Sequence, residues 1–348
     1  MTETLVISID AMGGDNAPDI VIDGVARVAA EDESVFFFLY GDEAQIAPLA
    51  KKYHLAPDRF KVHHTPHKIK ADDKAVTAIR SGRESSMWKA IMSVRSGYAK
   101  AVVSAGNTVV LMAMSKICLG TAAGIDRPAI AAIMPSLKGD IVALDLGANA
   151  ECTSQNLVEF AIMGDVLHRV LYQTQQPTVG LLNIGSEETK GRDEIKEAAN
   201  ILKGFGEKIN FRGFMEGNDI SKGDFQVVVT DGFSGNVALK TLEGTAKFIA
   251  TLLKQHVKKS WLAMFGFLLA SRVLKQMKKQ VDPRVYNGAL FVGLEGISVK
   301  SHGGADAFAF ACAVRNAIRM ARNDLCQKIK DELNIVMDMP PVAEDAAE

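Results

Sequence analysis

The chain has 348 residues, enough to bury a substantial core as one large domain or two smaller ones. Its 40 basic and 41 acidic side chains nearly cancel, so the overall charge gives no sign of a nucleic-acid partner. No apolar run approaches the roughly 20 residues that cross a bilayer, no charged-then-apolar leader is visible, and Cys118, Cys152, Cys312 and Cys326 lack paired metal spacing, which fits reduced thiols in a cytoplasmic protein with no cofactor called for.

Residues 5–10 are apolar and β-branched and predict a strand. They run into Ile9-Asp10-Ala11-Met12-Gly13-Gly14-Asp15-Asn16-Ala17-Pro18, after which helical spacing sets in over 19–30. Gly13 and Gly14 allow a sharp turn, Pro18 suits a first helical turn, and free N–H groups at a helix start favour an anion. Further strands are predicted at 35–40, 60–64, 101–104, 129–134, 141–146, 179–184 and 227–230. Helices are predicted at 43–53, 85–96, 108–119, 157–171 and 194–202. This alternation implies a mostly parallel sheet covered by helices on both faces. The short link between 129–134 and 141–146 predicts an antiparallel pair, as does the link between 289–293 and 297–300. Residues 306–333 read as one long closing helix. The chain is thus expected to form a single α/β domain over 1–335 with a disordered acidic tail at 336–348.

Polar and glycine-rich segments follow several of these strands, and ligands bind at the C-terminal edge of open α/β sheets. The loops after Ile9, Val103, Leu144, Leu182 and Val229 are therefore expected to converge on one crevice. The spacing at Gly13-Gly14 is not that of a G-x-G-x-x-G dinucleotide loop.

The decapeptide from Ile9 to Pro18 resembles the N-terminal signature of the bacterial phosphate acyltransferases of phospholipid synthesis. Ser104-Ala105-Gly106-Asn107-Thr108, Leu144-Asp145-Leu146-Gly147-Ala148-Asn149 and Leu182-Asn183-Ile184-Gly185 with Glu187 and Lys190-Gly191 look like motifs of the same family. So do Thr230-Asp231-Gly232-Phe233-Ser234-Gly235-Asn236 with Lys240, Lys300-Ser301-His302-Gly303, and Ser85-Ser86-Met87 after Arg80 and Arg83. They occur in the family's order over most of the chain. Val109-Val110 depart from the pattern where a small residue is usual, and Asn287 stands where a glycine is common; both bear on the pocket wall. The resemblance implies a Rossmann-like α/β/α sandwich of the isocitrate/isopropylmalate dehydrogenase or phosphate acetyltransferase type, a homodimer, and transfer of a long-chain acyl group from acyl-acyl carrier protein to inorganic phosphate.

That reaction needs phosphate held by donors, aligned with a thioester carbonyl, and an oxyanion stabilised; no nucleophilic triad or metal is required. The expected catalytic set is Asn107, Asn236, Lys240, Lys300 and His302. Asp10, Gly13, Gly14, Asp15, Thr108, Asp145, Asn149, Asn183, Asp231 and Gly235 are expected to line the substrate site. His302 either binds phosphate and protonates the leaving thiol or merely packs a turn. Asp10, Asp145 and Asp231 either hold Mg²⁺ or, as favoured here, cap and orient neighbouring loops. Cys152 either carries the acyl group or is a small buried thiol. Lys190 and Arg192 are the expected docking cations for an acidic carrier protein. The competing readings are a phosphate acetyltransferase-type enzyme using acyl-coenzyme A, a metal-dependent decarboxylating dehydrogenase, and a membrane-recruited scaffold.

From Lys254 to Lys279 the chain carries seven Lys or Arg and no Asp or Glu, around the apolar stretch from Trp261 to Ala270. Ten helical residues extend only about 15 Å, half a hydrocarbon core. Residues 254–281 therefore suit a protruding amphipathic segment, with Trp261, Phe265 and Phe267 entering an anionic membrane surface, or else a helix buried between two copies of the chain. Membrane contact would deliver a labile acyl phosphate to a membrane-embedded glycerol-3-phosphate acyltransferase.

Overall fold

The computed structural model describes residues 4–280 and 282–337. The β-branched and aromatic runs form β1 (Leu5–Asp10), β2 (Val35–Gly41), β3 (Phe60–His64), β4 (Ala101–Ser104), β5 (Ala129–Ser136) and β6 (Gly139–Leu144). They continue as β7 (Val179–Leu182), β8 (Phe211–Met215), β9 (Val227–Val229), β10 (Ala289–Val292) and β11 (Ile297–Lys300). The helices are α1 (Asp19–Glu31), α2 (Glu43–Lys52), α3 (Ala75–Ser81), α4 (Ser86–Arg95), α5 (Thr108–Leu119) and α6 (Ser154–Tyr172). After them come α7 (Asp193–Gly204), α8 (Gly232–Val257), α9 (Trp261–Leu269), α10 (Ser271–Gln280), α11 (Ala307–Arg322) and α12 (Leu325–Met337).

All described strands join one sheet in the order β3-β2-β1-β4-β11-β10-β5-β6-β9-β7-β8. Pairing is parallel from β3 to β11 and again from β6 to β8. Between these blocks lie three antiparallel seams, β11–β10, β10–β5 and β5–β6, two of which are the hairpins expected from the short links. An odd number of seams reverses direction. The strands β6, β9, β7 and β8 therefore run opposite to β3, β2, β1, β4 and β11, and their C-terminal ends lie at opposite edges of the sheet.

Side-chain alternation on the strands divides the core into two layers. On β4, Ala101 and Val103 join the cluster that includes Val25 on α1 and Phe310 on α11, whereas Val102 joins Ile91 on α4 and Leu111 on α5. Burying a Leu, Ile, Val or Phe side chain in this way contributes about 1.5–3 kcal/mol each. The α6 helix is buried on nearly all sides and starts at a capping box formed by Thr153 and Asn156.

Two expectations are corrected. Phe211–Met215 forms an edge strand that the sequence analysis left out; its five residues include Gly213 at φ 94°, and edge strands lack a continuous apolar signature. The closing helix is two helices, because Asp324 adopts φ 49° between α11 and α12 and turns the chain. Apart from its first two residues, which end α12, the expected disordered tail lies outside the described residues.

Ala238 and Leu239 still pack against the core, but beyond them α8 has no buried residue and α9 has none at all, so the rest of α8 with α9 and α10 stands off the sheet as an arm. Trp261 is 72% exposed and Phe265 56%. Phe267 is only half-exposed, a departure from the outward orientation expected of it. No helix among the described residues is long and apolar enough to cross a membrane.

Candidate active site

The expected single crevice separates into two clusters. The loops after β1, β4 and β11 meet at one edge of the sheet, and those after β6, β7 and β9 meet at the other, as the reversed strand directions require. The three carboxylates Asp10, Asp145 and Asp231 are likewise split, with Asp10 at the first edge and the other two at the second.

At the first edge, Asp10 is 1% exposed and accepts hydrogen bonds from Ser86 Oγ and Ser104 Oγ, both at 2.6 Å, and from the Met12 amide at 3.3 Å. Burial raises its pKa, and the serines and the Met12 and Gly13 amides oppose that rise. The Asp10 carboxylate is thus committed to protein donors and fixes the turn, which is the orienting role favoured for it from the sequence and not the substrate-lining one. Ser104 Oγ in turn accepts from the Gly106 amide at 3.0 Å. A Cβ on Gly13 would lie 2.8 Å from the Gly106 nitrogen and 2.9 Å from Ser104 Oγ, so only glycine lets these two loops close on each other. The Asp15 amide then donates to the Gly303 carbonyl at 2.9 Å and joins the Gly13-Gly14 turn to the loop after β11.

Lys300 ends β11 inside this edge. It is 8% exposed, and its Nζ has only carbonyl partners, Ser301 O and Ala105 O, the latter at 3.5 Å. Burial brings its pKa down to about 8, with Asp15 and Asp10 pulling the other way. A buried ammonium without a carboxylate in contact leaves positive potential for an anion to neutralise. His302 is exposed beside it, and its Nδ1 accepts the Gly304 amide at 3.1 Å, which places the proton of the neutral ring on Nε2. Asn107 departs from expectation. Its Oδ1 caps α5 through the Val109 and Val110 amides, and its Nδ2 donates to Ala71 O at 2.8 Å and Asp73 O at 3.3 Å. Its carboxamide is used up, so it shapes the loop; the neighbouring Thr108 is exposed, with no side-chain hydrogen bond among the described residues.

At the second edge, Asp145 is fully buried and accepts from the amides of Ile130, Gly147, Ala148 and Asn149 and from Asn149 Nδ2. Asn149 Nδ2 also reaches Pro128 O at 2.9 Å. Asn183 donates to Lys190 O at 3.0 Å and closes its own loop. Asp231 caps α8 through the Ser234 amide at 2.7 Å and pairs with Arg192. These four side chains therefore build the loops rather than line a substrate site; for Asp145 and Asp231 that is the capping role favoured from the sequence, and for Asn149 and Asn183 it is a correction. Gly235 packs onto the Asp145 carbonyl so closely that a side chain would collide with it. Asn236 is exposed next to Gly147, with no side-chain hydrogen bond among the described residues. Lys240 reaches Glu243 at 3.4 Å and Lys190 reaches Glu187 at 2.7 Å, both at the surface. Cys152 donates to Asn149 O at 3.7 Å, and burial holds its pKa up at about 11, so the thiol stays protonated and is no nucleophile near neutral pH.

Sequence reasoning passed over the supporting hydroxyls. Ser85, as a capping serine should, accepts from the Trp88 amide at 3.2 Å, and this leaves the adjacent Ser86 to reach Asp10. Two serines at a helix start were the available signal.

An α/β enzyme with glycine turns and a buried lysine at a strand end is the class that this fold and site define. A phosphotransacetylase from Streptococcus pyogenes has a similar fold, with a TM-score of 0.62 at 16% identity over 92% of this chain and 94% of that one. The family described as "Fatty acid synthesis protein" matches residues 5–328. The protein named phosphate acyltransferase in Rhodospirillum rubrum is 49% identical over 98% of this chain and 97% of its own length. That of Rhodospirillum centenum is 51% identical over 96% and 94%. The chain belongs to this fatty acid synthesis protein family and is an acyltransferase of the phosphate acyltransferase kind.

Proposed function

We propose that the enzyme transfers a long-chain acyl group from acyl-acyl carrier protein to inorganic phosphate, and that the acyl phosphate so formed is consumed by a membrane-embedded glycerol-3-phosphate acyltransferase on the way to phosphatidic acid. The observation that carries this reading is Lys300, a buried cation beside two glycine turns whose hydrogen-bond partners among the described residues are carbonyl oxygens. A phosphate dianion completes such a pocket. One phosphate oxygen attacks the thioester carbon, the carbon–sulfur bond breaks, and the departing thiolate takes a proton. His302, with Nε2 as its donor, stands at the position to supply that proton or to hold phosphate. That the relatives are phosphate acyltransferases by name supports phosphate as acceptor.

Asn236 and Lys240 follow strands that run opposite to β11 and so lie at the other edge of the sheet from the Lys300 pocket. A homodimer resolves this: a twofold axis places the second edge of one copy against the first edge of the other, so that Asn236 and Lys240 stabilise the oxyanion across the interface. The exposed Trp261 and Phe265 on the lysine-flanked arm support peripheral contact with an anionic, cytoplasm-facing membrane surface. Lys190, whose ammonium stays at the surface, supports carrier-protein docking beside the second edge.

The test incubates pure enzyme with long-chain acyl-acyl carrier protein, with and without inorganic phosphate, and measures free carrier protein and hydroxylamine-sensitive acyl phosphate. Phosphate-dependent release is expected. Release from acyl-coenzyme A alone overturns the choice of donor, and no release overturns the reading altogether.

A further inference from the structure

Asn287 precedes β10 in the antiparallel pairing that sets Ala289 opposite Lys300, so continuing the register places it across from His302. It is 9% exposed, and every polar atom of its carboxamide is used. Nδ2 donates to Ser301 Oγ at 2.8 Å and to Ala309 O at 2.7 Å, while Oδ1 accepts the His302 amide at 2.9 Å. Its own carbonyl accepts from Asn316 Nδ2 at 3.2 Å. One side chain therefore ties the Ser301–His302 peptide to α11, and Ser301 also supplies the carbonyl that receives Lys300 Nζ.

We infer that Asn287 is a positioning residue of the phosphate site, holding the Ser301–His302 backbone so that the Lys300 ammonium and the His302 ring are presented to the anion together. The inference rests on reading residues 300–303 as the phosphate site. A glycine at this place offers none of the three side-chain bonds and unties the loop after β11 from α11, leaving its bonds to the neighbouring loops, the Ser301 amide on Ser104 O and the Asp15 amide on Gly303 O. The carboxamide contacts no substrate; it acts through its neighbours.

The experiment compares Asn287→Gly and Asn287→Ala with wild type, reading the Michaelis constants for phosphate and for acyl donor separately, together with melting temperature. Loss of hydrogen bonds that hold a binding backbone should raise the phosphate constant about tenfold and leave the acyl-donor constant within about twofold. In a His302→Ala background the Asn287→Gly effect should shrink, because the ring that the loop presents is gone while the share carried by Lys300 remains. A wild-type phosphate constant in either folded variant, or an equal effect with and without His302, overturns the inference. If Asn287→Gly melts below the assay temperature, Asn287→Ala is judged on the same two numbers at lower temperature. A wild-type phosphate constant in Lys300→Ala would instead remove the phosphate-site reading, which distinguishes the two failures.

Discussion

Ser104 Oγ donates to the buried Asp10 carboxylate at 2.6 Å, bridging the ends of two neighbouring parallel strands. Ser86 at the start of α4 donates to the same group, so one carboxylate joins three elements below the Gly13-Gly14 turn. Asp10→Ala strands two buried hydroxyls and two turn amides, and should lower unfolding free energy by about 3 kcal/mol in urea titration. Ser86→Ala removes a single donor and should cost distinctly less. If Asp10→Ala unfolds at the wild-type midpoint, the carboxylate is not the keystone of that turn.

Turnover should depend on Lys300 through its charge. Removing a donor of this kind typically slows a reaction about 10²–10³-fold, and Lys300→Ala should do so with little change in melting temperature. Its lowered pKa sets the pH response: the ammonium is lost as pH rises through about 8, so the phosphate constant should climb above that value. Stability should move the other way. Between about 8 and the ordinary lysine value near 10.5 the unfolded chain holds a proton the folded chain has released, so stability rises with pH there. Both the kinetic inflection and this rise should be missing in Lys300→Met; their persistence would assign them to another group.

Lys190 and Arg192, separated by Gly191 and both read as docking cations, should behave differently. Arg192 pairs with Asp231, the N-cap of α8, so Arg192→Ala leaves a nearly buried carboxylate without its cation and should lower the melting temperature. Lys190 pairs only with the exposed Glu187. Lys190→Glu should raise the Michaelis constant for acyl-acyl carrier protein, steeply so at low salt, while that for phosphate holds. An equal change in both constants would count against docking at Lys190.

Vesicle binding should follow the exposed aromatic face of the arm. Trp261→Ser with Phe265→Ser should abolish co-sedimentation with anionic liposomes while acyl transfer in solution survives. Phe267 is half-buried, so its replacement should bear more on the packing of the arm than on lipid contact. Retained vesicle binding by the double variant, or its collapse into inactive monomers, would assign the arm another role.

The strands and helices were legible because their signals are local. Apolar runs such as Val227 to Val229 and the helical spacing after Pro18 state their own conformation, and the short link after Ser136 announces a hairpin. The division of the site was not legible. It depends on β5 running in the same direction as β11 across the intervening β10, so that the β5–β6 hairpin turns β6, β9 and β7 over, and no window of sequence records that direction. The orienting role of the aspartates was legible but their partners were hidden for a related reason: the side-chain donors to Asp10 lie 76 and 94 residues away. Asn107 was misjudged because a polar residue at a helix start satisfies the cap and the site reading equally well until its partners are seen.

The reversal of strand direction across the three seams gives the active site a genetics. A Lys300→Ala chain keeps a sound second edge, and an Asn236→Ala chain keeps a sound first edge. If the two edges of different copies work together, two dead proteins unfolded and refolded as a mixture should regain activity. Random pairing makes half the dimers mixed, and in each of these one site unites both sound edges while the other unites both damaged ones, so about a quarter of wild-type activity should return. A chain that worked alone would show no such rescue, so the yield of this simple mixing reports whether catalysis belongs to one chain or to the pair.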